Sequence, residues 1–254
     1  TDGETGAQGE FRVALECNYA PFNWTQMDDS NGAVAIGDGT YAGGYDVEIA
    51  KKLAEAMGKK LVIVKTEWDG LILSVNSGKC DAVIAGMSPT AERSVTVDFS
   101  DAYYESDLCI VVKKDGPYAN ATSLADFSGA KITGQLNTFH YTVIDQIEGV
   151  VKETAMDTFP AMIVAVDSGK VDGYISERPG AVSAVASNPT LTYVTFEEGK
   201  GFETSPEDTS IAVAIKKGNT ELVEQVNEIL AGISKEERLQ LMDQAIANQP
   251  LSAE

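Results

Sequence analysis

A ten-residue pattern occurs twice in this chain and limits the folds that it can adopt. Val75–Ile84 reads VNSGKCDAVI, and 91 residues later Val166–Ile175 reads VDSGKVDGYI, so both copies fit V-x-S-G-K-x-D-x-x-I. In each copy a segment with helical apolar spacing ends at a glycine, and an apolar strand follows. Two copies at domain-sized spacing predict two similar α/β lobes, because a solenoid needs at least three shorter repeats. Independent use of a common helix-to-strand turn is the alternative.

The first third of the chain alternates predicted strands with predicted helices. Asp46 is placed to cap a helix that runs to Met57, and Asp69 to cap a second helix that ends at Gly78. Because apolar strands that alternate with helices are typical of βαβ units, the pattern predicts α/β lobes built on parallel sheets. The predicted strands are Arg12–Leu15, Leu61–Val64 and Ala82–Ala85.

Two apolar segments are predicted to connect the lobes in place of a flexible linker. The chain has 254 residues, which is enough for two domains of about 100–150 residues. We expect lobe 1 to comprise residues 1–108 and 212–254, lobe 2 to comprise residues 113–207, and hinge strands to lie at about 108–113 and 208–213. Two C-terminal helices, about Glu221–Gly232 and Lys235–Ala247, are expected to pack on lobe 1.

The acidic composition argues against two classes of partner. A net charge of −20 would repel nucleic-acid phosphates and anionic lipid headgroups, so we expect no nucleic-acid partner and no direct docking to a membrane surface. No apolar run approaches the roughly 20 residues that a membrane-spanning helix needs. The polar, glycine-rich residues Thr1–Gly9 are typical of a disordered tether or a processed end.

Metal and enzyme signatures are missing from the sequence. Cys17, Cys80 and Cys109 have no zinc-ligand spacing and are predicted to lie in apolar, strand-like runs; His140 is the only histidine and is predicted to be solvated. We therefore expect no metal and no cofactor. The sequence has no nucleophile elbow, Walker A loop or G-x-G-x-x-G motif, which favours a binding protein over an enzyme.

The candidate site lies where ligands bind in open α/β sheets, beyond the carboxyl ends of the strands. After the first repeat, Gly86 allows close approach of a ligand, Ser88 offers a hydroxyl and an N–H, and Thr90 can cap a short helix that carries Arg93. A guanidinium beside a helix N-terminus is typical of a carboxylate site. After the second repeat, Glu177 is suited to bind an ammonium group. One receptor in each lobe predicts a free α-amino acid that holds the two lobes together.

Each charged residue also has a purely structural explanation. Arg93 could pair with Glu92 or Asp98 on the surface, and Glu177 could pair with Arg178. The joint placement of the two residues after repeated strands favours the ligand site.

The chain resembles the polar amino-acid solute-binding proteins of ABC importers, which have the type II periplasmic-binding-protein fold. The resemblance covers about residues 11–245, and its most specific part runs from Trp68 to Tyr104. The matching stretches are Tyr19–Phe22 (YAPF), Gly44–Lys51 (GYDVEIAK), Trp68–Ile72 (WDGLI), Cys80–Arg93 (CDAVIAGMSPTAER), Val97–Ser100 (VDFS) with Tyr103 and Tyr104, and Ser123–Gly129 (SLADFSG).

The resemblance implies a role for each candidate residue. Arg93 would clamp the ligand carboxylate with Ser88 and the Gly86 backbone, and Glu177 would receive the α-ammonium. Tyr19 and Trp68, which are more often core residues, would sandwich the ligand side chain, and Glu16 would face the end of that side chain. The residues so assigned are Glu16, Tyr19, Trp68, Gly86, Ser88, Arg93 and Glu177, with Thr138 as a second-lobe contact.

One loop departs from the family pattern. The second-lobe carboxylate loop usually reads Gly-Thr or Gly-Ser-Thr, whereas this chain has Asn137 in place of the glycine, followed by Thr138.

The family also implies a ligand class and a cellular setting. Glu16 beside Tyr19 favours a polar L-amino acid, with arginine or lysine first and glutamine next. The expected partner is a membrane permease, the expected state is a monomer, and the expected location is extracytoplasmic, either periplasmic or as a cell-surface lipoprotein. Cyclohexadienyl dehydratases share this fold, so Glu177 as a general acid is an alternative, and the ligand-sensing lobe of a receptor is another.

Overall fold

The computed structural model describes residues 9–250, so the predicted N-terminal tether, apart from Gly9, lies outside the described residues. The strands are β1 Glu10–Leu15, β2 Trp24–Gln26, β3 Val34–Ala35, β4 Tyr41–Gly43, β5 Lys60–Lys65, β6 Ala82–Val83, β7 Val97–Glu105, β8 Leu108–Lys113, β9 Lys131–Thr133, β10 Val151–Lys152, β11 Gly173–Glu177, β12 Leu191–Val194 and β13 Ser210–Lys216. The helices are α1 Tyr45–Ala56, α2 Leu71–Asn76, α3 Ala91–Ser94, α4 Phe139–Thr142, α5 Phe159–Asp167, α6 Arg178–Ser187, α7 Pro206–Thr209, α8 Thr220–Ala231 and α9 Lys235–Asn248. Short 3₁₀ turns are Ser30–Gly32, Trp68–Gly70, Leu124–Phe127 and Val143–Gln146.

Two five-stranded sheets share one plan. The first has the order β5-β1-β6-β13-β7 and the second has the order β10-β9-β11-β8-β12. The first three strands of each sheet are parallel, whereas the fourth is antiparallel to both neighbours. The predicted parallel arrangement therefore holds for three of the five strands in each sheet, and the fourth strand departs from it. The fourth strand arrives directly from the other lobe, without the helical crossover that a parallel neighbour requires.

The sequence repeat forms the same structure twice. In each copy the helix, α2 or α5, ends at a glycine whose φ is 78° or 79°, and the following strand, β6 or β11, lies at the centre of its sheet. Asp81 accepts a hydrogen bond from the backbone N–H of Arg12 at 2.8 Å, and Asp172 accepts one from Lys131 at the same distance. The repeated aspartate therefore ties each central strand to the strand beside it.

The two segments predicted as hinge strands belong to opposite sheets. β8 lies in the second sheet and β13 in the first, and apart from their terminal lysines both strands are fully buried. Just before these strands the N–H of Ser106 donates to the carbonyl of Thr209 at 2.9 Å, so the two crossings run side by side. The C-terminal helices pack as expected on the first lobe, although α9 also contacts α6 of the second.

Two predicted helix caps are wrong. Gly44, not Asp46, precedes α1, and the Asp46 carboxylate is fully buried, where it accepts hydrogen bonds from Asn23 at 2.8 Å and Tyr103 at 2.5 Å. Asp69 lies inside a 3₁₀ turn and caps no helix. In both cases residues that are distant in sequence bind the carboxylate, although the sequence pattern assigns it to the N-terminus of a helix.

The three cysteines are free and buried, and of these only Cys109 lies in a strand. None of the helices in residues 9–250 is long and apolar enough to cross a membrane.

Candidate functional site

The loop after β6 brings Gly86, Ser88 and Arg93 to the boundary between the lobes. Thr90 caps α3 as predicted, because its hydroxyl accepts the N–H of Arg93 at 3.3 Å. Gly86 has a φ of +61°, which favours glycine, and its N–H donates to the Tyr103 hydroxyl at 3.2 Å. The Ser88 hydroxyl donates to the carbonyl of Asp208 at 3.0 Å. In this structure the Gly86 N–H and the Ser88 hydroxyl, two of the predicted donors, therefore bind protein groups.

Arg93 donates hydrogen bonds to carbonyl oxygens. Its guanidinium donates to the carbonyl of Ser88 at 2.9 Å and to that of Asn137 in the second lobe at 3.2 Å, and it lies 5.3 Å from the Trp68 ring centre. Within residues 9–250 no carboxylate lies in ion-pair distance of Arg93, and Asp98 pairs instead with Lys217 at 3.0 Å. Burial lowers the pKa of Arg93 to about 10, so it is charged at neutral pH.

Asn137 has a left-handed backbone conformation, which glycine adopts most readily. Its φ is +57°, a left-handed value that asparagine tolerates better than most residues. Its side chain donates to Asp69 at 2.5 Å, and its carbonyl also accepts the indole N–H of Trp68 at 3.4 Å. The Thr138 hydroxyl donates to the carbonyl of Gln135 at 2.8 Å. The loop therefore presents the backbone carbonyl of Asn137 to the Arg93 guanidinium.

Glu177 ends β11 and lies in a buried cluster that joins the lobes. The Tyr19 hydroxyl donates to one carboxylate oxygen, and Nε2 of His140 lies 2.7 Å from the other. Burial raises the pKa of Glu177 to about 8 and lowers the pKa of His140 to about 3. Arg178 turns away and pairs with Asp107 at 3.3 Å, so the simple pairing of Glu177 with Arg178 does not occur.

The ring of Tyr19 lies between glycines from the two lobes. A Cβ atom on Gly86 would lie 3.2 Å from the ring, and one on Gly180 would lie 3.0 Å from it. The ring stacks on Phe159 with 4.0 Å between centroids. Tyr19 therefore spans the interlobe boundary, whereas Trp68 is half-buried beside Arg93.

Glu16 lies at the end of β1 beside a polar cavity of about 500 Å³. Both of its oxygens lie 3.4 Å from the amide nitrogen of Gln135, and burial raises its pKa to about 7. The volume is in the range typical of small-molecule pockets. Residues of both lobes line the cavity, with four carboxylates and one lysine: Glu16, Lys65, Glu67, Asp69 and Asp157, next to Trp68 and Thr158.

Sequence reasoning missed His140, for which it predicts a solvated ring, as well as Gln135 and Phe159. His140 is only 4% exposed, because the fold packs it against Glu177 and near Phe159. A signal is present in the sequence, since Gln135 precedes Asn137 by two residues and His140 follows Thr138, the predicted second-lobe contact, by two. No group of three or more His, Cys, Asp or Glu side chains suited to a metal ion occurs in the part of the chain that the structure describes.

Two lobes of one mixed α/β plan, joined by paired crossings around a charged boundary, define a type II periplasmic binding protein. The family of bacterial extracellular solute-binding proteins, family 3, matches residues 11–246, and the chain belongs to that family. The family places such proteins outside the cytoplasm.

Its relatives are binding proteins for amino acids. The chain is 29% identical to ABC transporter arginine-binding protein 1 of Escherichia coli, covering 92% of this chain and 88% of the relative. It is equally identical to the L-cystine-binding protein TcyJ of Escherichia coli, over 93% of this chain and 82% of the relative. The amino acid ABC transporter substrate-binding protein AbpA of Streptococcus pneumoniae, solved with L-arginine, is similar with a TM-score of 0.79, 30% identity and coverage of 94% and 95%.

Proposed function

We propose that this chain binds one free polar L-amino acid between its lobes and delivers it to the permease of an ABC importer. The observation that carries the proposal is a pair of charge receptors, the half-buried Arg93 and the buried Glu177, which have no ionic partner within residues 9–250 when His140 is neutral. Among the described residues, Arg93 donates to carbonyl oxygens, and the Glu177 carboxylate contacts Tyr19 and His140. A ligand with a carboxylate and an ammonium group supplies both missing counter-charges.

The favoured ligand is arginine or lysine, with glutamine next. The excess of carboxylates around the cavity beside Glu16 supports a long cationic side chain, because a guanidinium can pair with acids and stack on Trp68. The arginine-bound structure of the Streptococcus pneumoniae relative supports the same order. Glu16, Tyr19, Trp68, Gly86, Ser88, Arg93, Thr138 and Glu177 are the proposed ligand contacts.

Capture is proposed to proceed by closure of two lobes. Lobe 1 is residues 1–108 with 212–254, lobe 2 is residues 113–207, and motion occurs about the segments at 108–113 and 208–213. The protein is proposed to work as a monomer in the periplasm or as a cell-surface lipoprotein.

The alternative is an enzyme on the same fold, and one observation favours it. A carboxyl whose pKa is raised to about 8 is protonated at neutral pH, as a general acid must be. We propose binding without turnover, because the relatives are transport proteins and Glu177 is matched to an ammonium group.

The test is a calorimetric titration of the protein with each of the twenty amino acids, followed by analysis of the recovered ligand. We expect binding of arginine or lysine, and ligand that is recovered unchanged. Arg93→Ala should weaken binding by about two to four decades, since removal of one partner of a desolvated charge pair costs about 3–5 kcal/mol. Arg93→Lys is the matched control: it keeps the positive charge but lacks the planar guanidinium that donates two parallel hydrogen bonds to a carboxylate. Retention of affinity within about threefold in Arg93→Ala would reject Arg93 as the anchor, and a chemically altered ligand would favour the enzyme.

A further inference from the structure

Groups from different lobes hold the two oxygens of Glu177. Tyr19, on the loop between β1 and β2, donates to one oxygen, and His140, on α4, lies 2.7 Å from the other. All three side chains are more than nine-tenths buried. Each lobe therefore supplies one contact to the Glu177 carboxylate, at the interlobe boundary where the ligand is proposed to bind.

The proton on His140 can be assigned from its contacts. Nδ1 is buried and has no hydrogen-bond partner among the described residues, whereas Nε2 lies against Glu177. Because a buried N–H without an acceptor is rare, we place the proton on Nε2, which then donates to Glu177. Burial, together with the nearby charge of Arg93, lowers the pKa of His140 to about 3, so the ring is neutral at pH 7.

We propose that His140 is the positioning residue of the ammonium receptor: its Nε2–H holds the Glu177 carboxylate in place and stabilises the anion that an α-ammonium group requires. The inference rests on the proposed function, because Glu177 receives an ammonium group only if the ligand is an amino acid. Two titratable groups contact Glu177 directly: Tyr19 before β2 and His140 on α4. The groups next to these contacts are Arg93 on α3, whose charge acts on His140, Cys109 on β8, which donates to the Ser176 carbonyl, and Arg178 on α6, which is paired with Asp107.

Ligand binding is then coupled to a proton. Without ligand, Glu177 is protonated at neutral pH, because burial raises its pKa to about 8. In that state the Glu177 O–H donates to the Tyr19 hydroxyl oxygen, and Tyr19 donates to Glu177 only when the carboxylate is ionised. The incoming ammonium keeps its own protons, the O–H bond of Glu177 breaks, and that proton passes to the buffer. Affinity should therefore rise with pH up to about 8, by at most tenfold per pH unit. Loss of the His140 donor destabilises the anion, so its effect on affinity should be largest at low pH.

The binding test uses L-arginine as the probe, between pH 6 and pH 8.5, in two buffers of different ionisation enthalpy. His140→Leu should weaken binding about 10- to 100-fold at pH 6.5, with a deficit that shrinks towards pH 8.5. His140→Gln, which keeps an N–H at similar reach, should stay within about threefold. Ile144→Val, a buried change in the same helical stretch with no contact to Glu177, should leave the pH profile unchanged. An equal deficit for His140→Leu at every pH would show a merely structural role and overturn the proposal.

A second measurement needs no ligand, so it separates failure of this inference from failure of the proposed function. His140 is the only histidine, so nitrogen NMR of histidine-labelled, untagged protein reports on one ring. We expect a neutral imidazole with its proton on Nε2 from pH 5 to pH 8, and a shifted Nε2 signal in Glu177→Gln. Titration near the ordinary value of about 6.5, or a proton on Nδ1, would overturn the assignment.

Discussion

Glu16 is a buried carboxylate whose nearest partner, the amide of Gln135, carries no charge. Burial raises its pKa to about 7, the Gln135 hydrogen bond opposes that rise, and the charge of Asp46 adds to it. A guanidinium that enters the adjacent cavity supplies the missing counter-charge, whereas a neutral amide offers only hydrogen bonds. This residue therefore governs the proposed preference for cationic ligands.

Replacement of Glu16 by glutamine tests that preference. We expect Glu16→Gln to lose about 2 kcal/mol or more of binding free energy for L-arginine and to change little for L-glutamine. Glu67→Gln is the matched control, since it removes the same charge from an exposed position on the same cavity and should change affinity less than about threefold. Tighter binding of glutamine than of arginine or lysine by the unmodified protein would contradict the cationic assignment.

At the scale of elements, the loop between β9 and α4 joins the lobes through its backbone. The carbonyl of Asn137 accepts hydrogen bonds from both Arg93 and Trp68, and the residue has a left-handed φ of +57°. The Asn137 side chain contributes separately through its bond to Asp69. Conformation and side-chain bonding can therefore be tested apart.

Two substitutions at Asn137 separate these effects. Glycine and alanine both delete the bond to Asp69, but only alanine has a Cβ that strains a left-handed residue. We expect Asn137→Ala to be less stable than Asn137→Gly by about 1 kcal/mol in urea unfolding, with Asp69→Ala reporting the loss of the bond alone. Equal stability of the alanine and glycine variants would mean that the loop relaxes to another conformation.

Across the whole molecule, three buried carboxyl groups have raised pKa values. Burial raises the pKa of Glu16 and Asp46 to about 7 and that of Glu177 to about 8. Between the ordinary and the raised values the folded protein binds more protons than the unfolded chain, so stability falls as pH rises through this window. His140 acts in the opposite sense below about pH 6.5, because only the unfolded chain protonates it there. The net charge of −20 adds repulsion at higher pH.

The ligand-free protein should therefore be more stable at pH 5 than at pH 8. Each proton contributes up to about 1.4 kcal/mol per pH unit to the free energy of unfolding, which urea titrations at several pH values would measure. Glu177→Gln should flatten the decline between pH 5 and pH 8, whereas Glu67→Gln, an exposed change, should leave it in place. A ligand-free stability that is constant or rises over this range would contradict the burial of these groups in neutral form.

Local patterns are sufficient to predict the two lobes. A helix-stop glycine followed by an apolar strand depends on residues a few positions apart, so the repeat at Val75–Ile84 and Val166–Ile175 by itself indicates two similar units. Thr90 as the cap of α3 is another local feature, and the structure has it as predicted. The family resemblance is likewise carried by contiguous stretches, and the family assignment agrees with it.

Only the tertiary structure decided the direction of the fourth strand in each sheet and the partners of the buried charges. Asp46 resembles a helix cap in the sequence, yet Asn23 and Tyr103 bind its carboxylate, and His140 resembles a solvated ring, yet it lies against Glu177. These outcomes depend on groups brought together from distant positions, such as Tyr19 and Glu177, which are 158 residues apart. The physical reason is that burial and charge pairing depend on the packing of whole elements, which no short window of sequence contains.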